Sequence, residues 1–225
     1  MLKNLYYIIV LIYQNCIITD TRFRLYHICR QANISFNYVS MKGTITMSGF
    51  YTMNIAGLER QLPICPLNEN IDIAGFIIFG DVELTVKASE ELLKRCPEFD
   101  YIVTPEAKSI PLAYEMSRQS GKKYFVARKR KKLYMQNPVE VNVRSITTDA
   151  VQTLILDGAD GEQIRGKRVV VLDDVISTGE SLKAMDALME KFDVEVVAKA
   201  AVLAEGDAAD RTDIIFLEKL PLLFK

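Results

Sequence analysis

Residues 169–182 read VVVLDDVISTGESL. Four apolar residues run into two adjacent carboxylates, Asp173 and Asp174, and small hydroxylated residues follow before a helical pattern begins. A run that is apolar at every position suits a strand buried on both faces of a parallel sheet. Ligands of such sheets bind outside the carboxyl ends of the central strands, which is where the two aspartates are expected, at a solvated strand end. Ser177, Thr178 and Gly179 then lead into a helix N-terminus, where free N–H groups and the positive end of the dipole make a phosphate cradle. Gly179 lets the backbone approach closely, and the Thr178 and Ser181 hydroxyls add donors. Carboxylates beside a phosphate would repel it, so the aspartates must face another part of the ligand. Two acceptor-only groups suit a vicinal diol, such as the 2- and 3-hydroxyls of a ribose, with Mg²⁺ nearby. A phosphate cradle next to a diol clamp describes a 5-phosphoribosyl group.

A second anion site is expected at Glu106-Ala107-Lys108-Ser109, between a strand and a helix N-terminus, with Lys108 as its basic residue. Residues 128–132, RKRKK, form a charge run, which reads as a solvated face or a nucleic-acid patch. A net charge of −1 and the lack of aromatics before Tyr134 argue against nucleic acid. Residues 161–168, GEQIRGKR, imitate a P-loop, but Arg168 stands where Ser or Thr is needed and the segment precedes a strand instead of following one.

Several elements must position these groups. Asp81 caps a helix that carries Leu84, Ala88 and Leu92 at a spacing of four and stops at Pro97. Strands are expected over 101–104, 124–128, 151–156 and 168–174, and in the two apolar stretches of residues 194–205 and 213–220. A helix over 110–121 closes at Gly121, and another over 179–192 turns Leu182, Met185, Leu188 or Met189, and Phe192 to one side. Residues 129–150 read as a long polar loop and 157–167 as a turn-rich connection. Residues 50–80, broken by Pro63, Pro66, Asn68 and Asn70, read as short strands and turns of a small subdomain. Strands alternating with helices predict an α/β fold, a mostly parallel twisted sheet flanked by helices.

The chain has 225 residues, 49% apolar and 25% charged, enough for one sizeable core with appendages. Cys16, Cys29, Cys65 and Cys96 show no C-x-x-C pair, so they read as free thiols of a reducing cytoplasm. His27 is the only histidine, which excludes a histidine-rich metal site and argues against a Ser-His-Asp triad. The stretch LYYIIVLIYQNCII is too short and too interrupted by Gln14 and Asn15 to span a bilayer, which takes ~20 apolar residues. Residues 1–46 read as an extension outside the domain, with translation starting at Met41, Met47 or Met53, and residues 47–225 as the domain.

The motif of residues 169–181 resembles the phosphoribosyl-pyrophosphate (PRPP) binding motif of type I phosphoribosyltransferases. The remainder from about Met53 onward is similar to that family, in particular to its adenine and xanthine branches. VTPEAKSIPLA resembles the pyrophosphate loop, VARKRKKL the strand and mobile loop that close over PRPP, and IAGFIIFGDVEL the passage from the hood subdomain, roughly residues 50–80, into the first helix. The resemblance implies transfer of 5-phosphoribose from Mg²⁺-bound PRPP to a purine, with adenine the expected acceptor, and release of pyrophosphate, in a cytoplasmic homodimer of purine salvage. It implies that Asp173 and Asp174 hold the ribose diol and bind Mg²⁺ indirectly. The segment of Val175, Ile176, Ser177, Thr178, Gly179, Glu180 and Ser181 takes the 5-phosphate. Glu106, Ala107, Lys108, Ser109, Arg128, Lys129 and Lys132 serve pyrophosphate, with Lys131 and Lys132 as steering charges. A cis peptide is implied at Ala107–Lys108 or its neighbour. Phe76, Ile77 and Ile78 are candidates to stack on the base, and Glu205 is a candidate acceptor for an exocyclic amine.

Two other readings remain open. A PRPP-sensing transcriptional regulator would need a DNA-binding appendage, and residues 1–46 lack a helix-turn-helix pattern. A transferase for orotate, or for xanthine or guanine, would share the same donor site.

Overall fold

The computed structural model describes residues 39–40, 43–44, 49–144 and 151–225. The contacts divide the chain into two units, Met1–Thr46 and Met47–Lys225. In the first, β1 (Val39–Ser40) pairs antiparallel with β2 (Gly43–Thr44). Cys16, His27, Cys29 and the apolar N-terminal stretch lie outside the described residues. Among the described residues no helix is long and apolar enough to cross a membrane.

The second unit opens with β3 (Phe50–Ile55), β4 (Leu58–Pro66) and β5 (Ile71–Ala74), which with β13 (Leu222–Phe224) form an antiparallel sheet in the order β13-β5-β4-β3. Its first three strands fall in the stretch broken by Pro63, Pro66 and Asn68. Phe76 and Ile78, expected as stacking candidates, are instead core residues at 5% and 0% exposure. They pack with Leu84 and Leu92 of α1 (Val82–Arg95), because the chain must bury its entry into that helix; Ile77 alone of the three is exposed. Asp81 caps α1 through Leu84 N–H (3.0 Å) and receives Arg60 Nε at 2.6 Å, which ties β4 to the helix.

The main sheet is parallel throughout, in the order β12-β11-β10-β6-β7. Its strands are β6 (Tyr101–Pro105), β7 (Lys123–Ala127), β10 (Arg168–Ile176), β11 (Glu195–Glu205) and β12 (Ile215–Leu220). Alternation along β10 feeds two cores. Val170 and Leu172 join α1 and α2 (Ile110–Ser120) on one face. Val169 and Val171 join Leu182, Met185 and Leu188 of α4 (Glu180–Glu190) on the other. The α/β reading from the apolar run is therefore correct, and its central strand is doubly buried.

Two expectations differ from the structure. The long loop contains β8 (Val139–Arg144), paired antiparallel with β9 (Val151–Leu156). Its segment VEVNVR alternates apolar and polar residues, the pattern of a strand buried on one face. The turn-rich connection contains α3 (Gly158–Ile164), capped by Asp157 through Ala159 N–H at 3.0 Å. Its glycines obscured it, yet Gly161 has a packing reason: a Cβ there would lie 2.1 Å from Phe192 Cε1.

Candidate active site

The site forms where the sheet reverses its direction of winding. From β6 the chain moves outward to β7, whereas from β10 it moves the other way to β11 and β12. The adjacent ends of β6 and β10 thus bound the crevice expected at such a switch point. β10 pairs with β6 only through Val169, Val170 and Val171, then the two strands part. Thr104 Oγ1, 2.8 Å from the Leu172 carbonyl, marks the last tie before the gap. A cleft of roughly 500 Å³ opens there, bordered by Glu106, Ala107, Lys108, Lys129, Asp173 and Asp174, among others.

Successive strand residues point to opposite faces, so the two acids do not have equivalent surroundings. Asp174 is 3% exposed, on the side of Leu172, and its Oδ2 lies 2.7 Å from Lys108 Nζ. This corrects the expectation of a solvated strand end: the parting of β6 and β10 turns Asp174 inward, where Lys108 supplies its counter-charge. Asp173, on the side of Val171, accepts the backbone N–H of Asp174 at 2.9 Å. Burial, and after it the neighbouring Asp174 carboxylate, pushes the Asp173 carboxyl up to about 7, against the pull of Lys108.

Beyond β10 the chain turns through Ser177, Thr178 and Gly179 into α4. Gly179 has φ +76°, a left-handed conformation in which side chains are strained. A second cavity of about 120 Å³ is bordered by Val175, Ile176, Ser177, Thr178, Gly179, Glu180 and Ser181. All seven residues expected to take the phosphate therefore border one cavity, between the end of β10 and the start of α4. Behind the loop, Arg211 Nη1 lies 2.8 Å from the point a Cβ on Gly179 would occupy. Arg211 is itself held by Asp213 through two contacts of 2.8 and 2.7 Å.

The remaining basic residues are organised by Glu106. Its Oε2 accepts Lys129 N–H at 3.0 Å and lies 3.2 Å from Arg128 Nε. The Lys129 N–H, followed by the charges of Arg128, Lys132 and Lys129, holds this carboxyl below its ordinary range against the burial that would raise it. The peptide between Glu106 and Ala107 is cis, next to the bond named first from the sequence and within the pair of sites considered. Of the residues expected to serve pyrophosphate, Glu106, Ala107, Lys108 and Lys129 border the cleft, and Arg128, Lys132 and Ser109 do not. Ser109 is 1% exposed, and its hydroxyl donates to the Pro105 carbonyl at 3.1 Å while lying 2.7 Å from Thr104 Oγ1. Its side chain is thus committed to the core at the start of α2, which leaves its backbone N–H as the group it can offer an anion.

Glu205, at the end of β11, is half-buried and does not border the cleft; burial raises its carboxyl while Lys108 nearby lowers it. Residues missed from the sequence are Gln152 and Thr153 of β9, which border the cleft, and Arg211. The alternating hairpin was the available signal for the first two; Arg211 had none, because its proximity to Gly179 is tertiary.

A parallel sheet with an acidic pair at its switch point, and a loop of small residues leading from it into a helix, is the arrangement expected of a sugar-phosphate site. The family model for the phosphoribosyl transferase domain matches residues 83–219, more than half of the chain. The chain belongs to the type I phosphoribosyltransferase family. It is 35% identical over 128 residues to a hypoxanthine/guanine phosphoribosyltransferase of Methanothermobacter thermautotrophicus, covering 56% of this chain and 63% of the relative. It is 36% identical over 112 residues to the enzyme of that name from Methanococcus voltae, covering 50% of this chain and 56% of the relative. The chain thus spans between about half and two thirds of the length of these curated relatives. Its fold is similar to that of adenine phosphoribosyltransferase from Thermoanaerobacter pseudethanolicus, with a TM-score of 0.54 at 23% identity, covering 63% of this chain and 84% of that one. The corresponding protein of Leishmania donovani gives a TM-score of 0.55 at 18% identity, covering 78% and 77%.

Proposed function

We propose that this protein transfers 5-phosphoribose from PRPP to a ring nitrogen of a purine and releases pyrophosphate. The observation that carries the reading is a pair of adjoining cavities that share Asp173, Val175 and Ser181. The smaller is bordered by residues 175–181 and the larger by Asp173, Asp174 and Lys108, which supports a phosphate at one end and pyrophosphate at the other. That order matches the order of phosphate, diol and pyrophosphate along PRPP.

The backbone N–H groups at the start of α4 hold the 5-phosphate, and Asp173 and Asp174 accept from the ribose hydroxyls. As the bond to pyrophosphate lengthens, positive charge grows on the ribose ring, and these carboxylates stabilise it from fixed positions. Lys108 and Lys129 neutralise the departing pyrophosphate. Glu106 acts through them, aligning Lys129 and Arg128 rather than meeting an anion itself. Holding the donor and acceptor together, with water kept out, favours transfer over hydrolysis.

The donor set also fits Mg²⁺. Asp173 and Asp174 offer hard oxygen ligands, and among the described residues no group of three or more His, Cys, Asp or Glu side chains gathers as a metal site. Asp173 and Asp174 would hold the ion indirectly, and it would supply charge neutralisation at the donor. The protein would work as a cytoplasmic homodimer, with residues 47–225 as the functional domain and residues 1–46 as an extension.

The acceptor is a purine. The adenine preference expected from the sequence came from the resemblance to the adenine and xanthine branches, with Glu205 as an added hint, and Glu205 does not border the cleft. The names of the curated relatives favour hypoxanthine or guanine. The test is to mix the protein with PRPP, Mg²⁺ and each of adenine, hypoxanthine, guanine and xanthine, and to measure pyrophosphate release. Release with one base identifies the acceptor. PRPP binding without release for any base overturns turnover in favour of a sensor, and absence of PRPP binding overturns the site itself.

A further inference from the structure

Strand β9 carries a polar side chain that the signature motif does not explain. Alternation places Gln152, Leu154 and Leu156 on one face. Leu154 and Leu156 are buried in the core that holds Leu182 and Met185 of α4. Gln152 continues that apolar row at the point where it emerges over the N-terminus of α4. Its neighbour Thr153 faces the other way and its hydroxyl is taken by Asn142 Oδ1 at 2.7 Å. Gln152 is half-buried, and among the described residues its carboxamide has no hydrogen-bond partner.

Four residues border both the large cleft and the phosphate cavity: Gln152, Asp173, Val175 and Ser181. Three belong to the segment running from β10 into α4. Gln152 alone reaches the junction from the hairpin, opposite that segment. A neutral carboxamide offers two donors and an acceptor. It can therefore serve a phosphate oxygen on one side and a ribose hydroxyl on the other without repelling the former, as a carboxylate would.

We propose that Gln152 is a ligand-positioning residue for the 5-phosphoribosyl group. Its NH₂ donates to a 5-phosphate oxygen and its carbonyl accepts from the ribose, so that β9 closes the phosphate end of the cleft. The proposal rests on the reading of the cleft as a PRPP site. Its role is in binding the sugar phosphate, separate from the Lys108 side that takes pyrophosphate.

Calorimetric titration of the full chain with ribose 5-phosphate, and separately with inorganic pyrophosphate and Mg²⁺, tests it in the wild type, Gln152→Ala and Gln152→Glu. Loss of the hydrogen bond in Gln152→Ala weakens ribose 5-phosphate binding about tenfold. Gln152→Glu, of the same shape, weakens it by a further factor of about ten because two negative groups then face each other. Pyrophosphate affinity and melting temperature stay unchanged in both. Wild-type affinity for ribose 5-phosphate in Gln152→Glu overturns the proposal and leaves the PRPP reading intact. Equal losses for both ligands also overturn it, because they report general damage to the cleft. A wild-type protein that binds neither ligand removes the PRPP reading and this proposal with it.

Discussion

Lys108 Nζ lies 2.7 Å from Asp174 Oδ2, so the cation expected to meet pyrophosphate is paired with one of the acids expected to hold the ribose. The carboxylate side chain is 5% exposed and the lysine 48% exposed. The contact locks the loop after β6 to the end of β10 across the gap between them. Lys108→Met leaves a buried carboxylate unpaired, and stability falls by about 1–3 kcal/mol, less than for a fully buried pair because the lysine is half in water. Lys108→Arg retains most of it. Urea denaturation of the two variants checks this; equal midpoints for wild type and Lys108→Met would remove the pairing as a stabilising contact.

Glu106→Gln releases its hold on Lys129 and Arg128 while keeping the shape of the side chain. Pyrophosphate affinity is expected to fall about tenfold, as for one lost charge-assisted contact, while ribose 5-phosphate affinity is kept. Competition binding with the two ligands reads the difference, and an equal effect on both would contradict a role confined to the basic segment.

Gly179→Ala meets two obstacles: the left-handed backbone at φ +76° and the Arg211 guanidinium at 2.8 Å from the new Cβ. The conformational part costs about 1–2 kcal/mol. Arg211→Ala in the same chain relieves the steric part alone, so the double variant should be more stable than the sum of the single losses. Additive losses in thermal unfolding would show that Arg211 yields freely.

Gly161→Ala is a control for the fold away from the cleft. A methyl group 2.1 Å from Phe192 Cε1 overpacks the core beneath α3. Stability is expected to drop by about 1–3 kcal/mol, and Phe192→Leu in the same chain should recover part of it. Chemical denaturation of both variants checks the expectation, and a neutral Gly161→Ala would refute the packing reason for this glycine.

Arg168 holds the Asp100 carboxyl down to about 2 through its side chain and its backbone N–H. A carboxyl depressed on folding contributes stability above its unfolded value near 3.8, and the contribution is lost as pH falls through about 2. The pair is exposed, so solvent screens it and the effect is small. Arg168→Met should therefore be less stable than wild type at pH 7, with the gap narrowing as pH falls from about 5 toward about 2. Denaturant midpoints across that range would show the narrowing; a gap constant with pH would exclude the ion pair as its source.

Legibility in the sequence follows the range of each interaction. The run Val169–Leu172 was readable as a doubly buried strand because burial on both faces requires apolar residues at every position. The segment of residues 175–181 was readable as a turn into a helix because its small hydroxylated residues and Gly179 are consecutive, so the pattern is local. α3 was hidden by Gly158 and Gly161, since helix propensity is local whereas the reason for Gly161 is the Phe192 ring from a distant segment. β8 was hidden because its polar face suggested a loop.

What the amino-acid order determined alone is the character of the central segment: a buried strand, an acid pair at its end and a turn of small residues into a helix. Only the tertiary structure decided that Asp174 is buried against Lys108, that Ser109 is spent on the core, and that Gln152 and Arg211 stand beside the loop of residues 175–181. These outcomes depend on where β6 and β10 part and on how the β8–β9 hairpin lies over α4. Such contacts join residues far apart in the chain, and no local pattern of residue types records them.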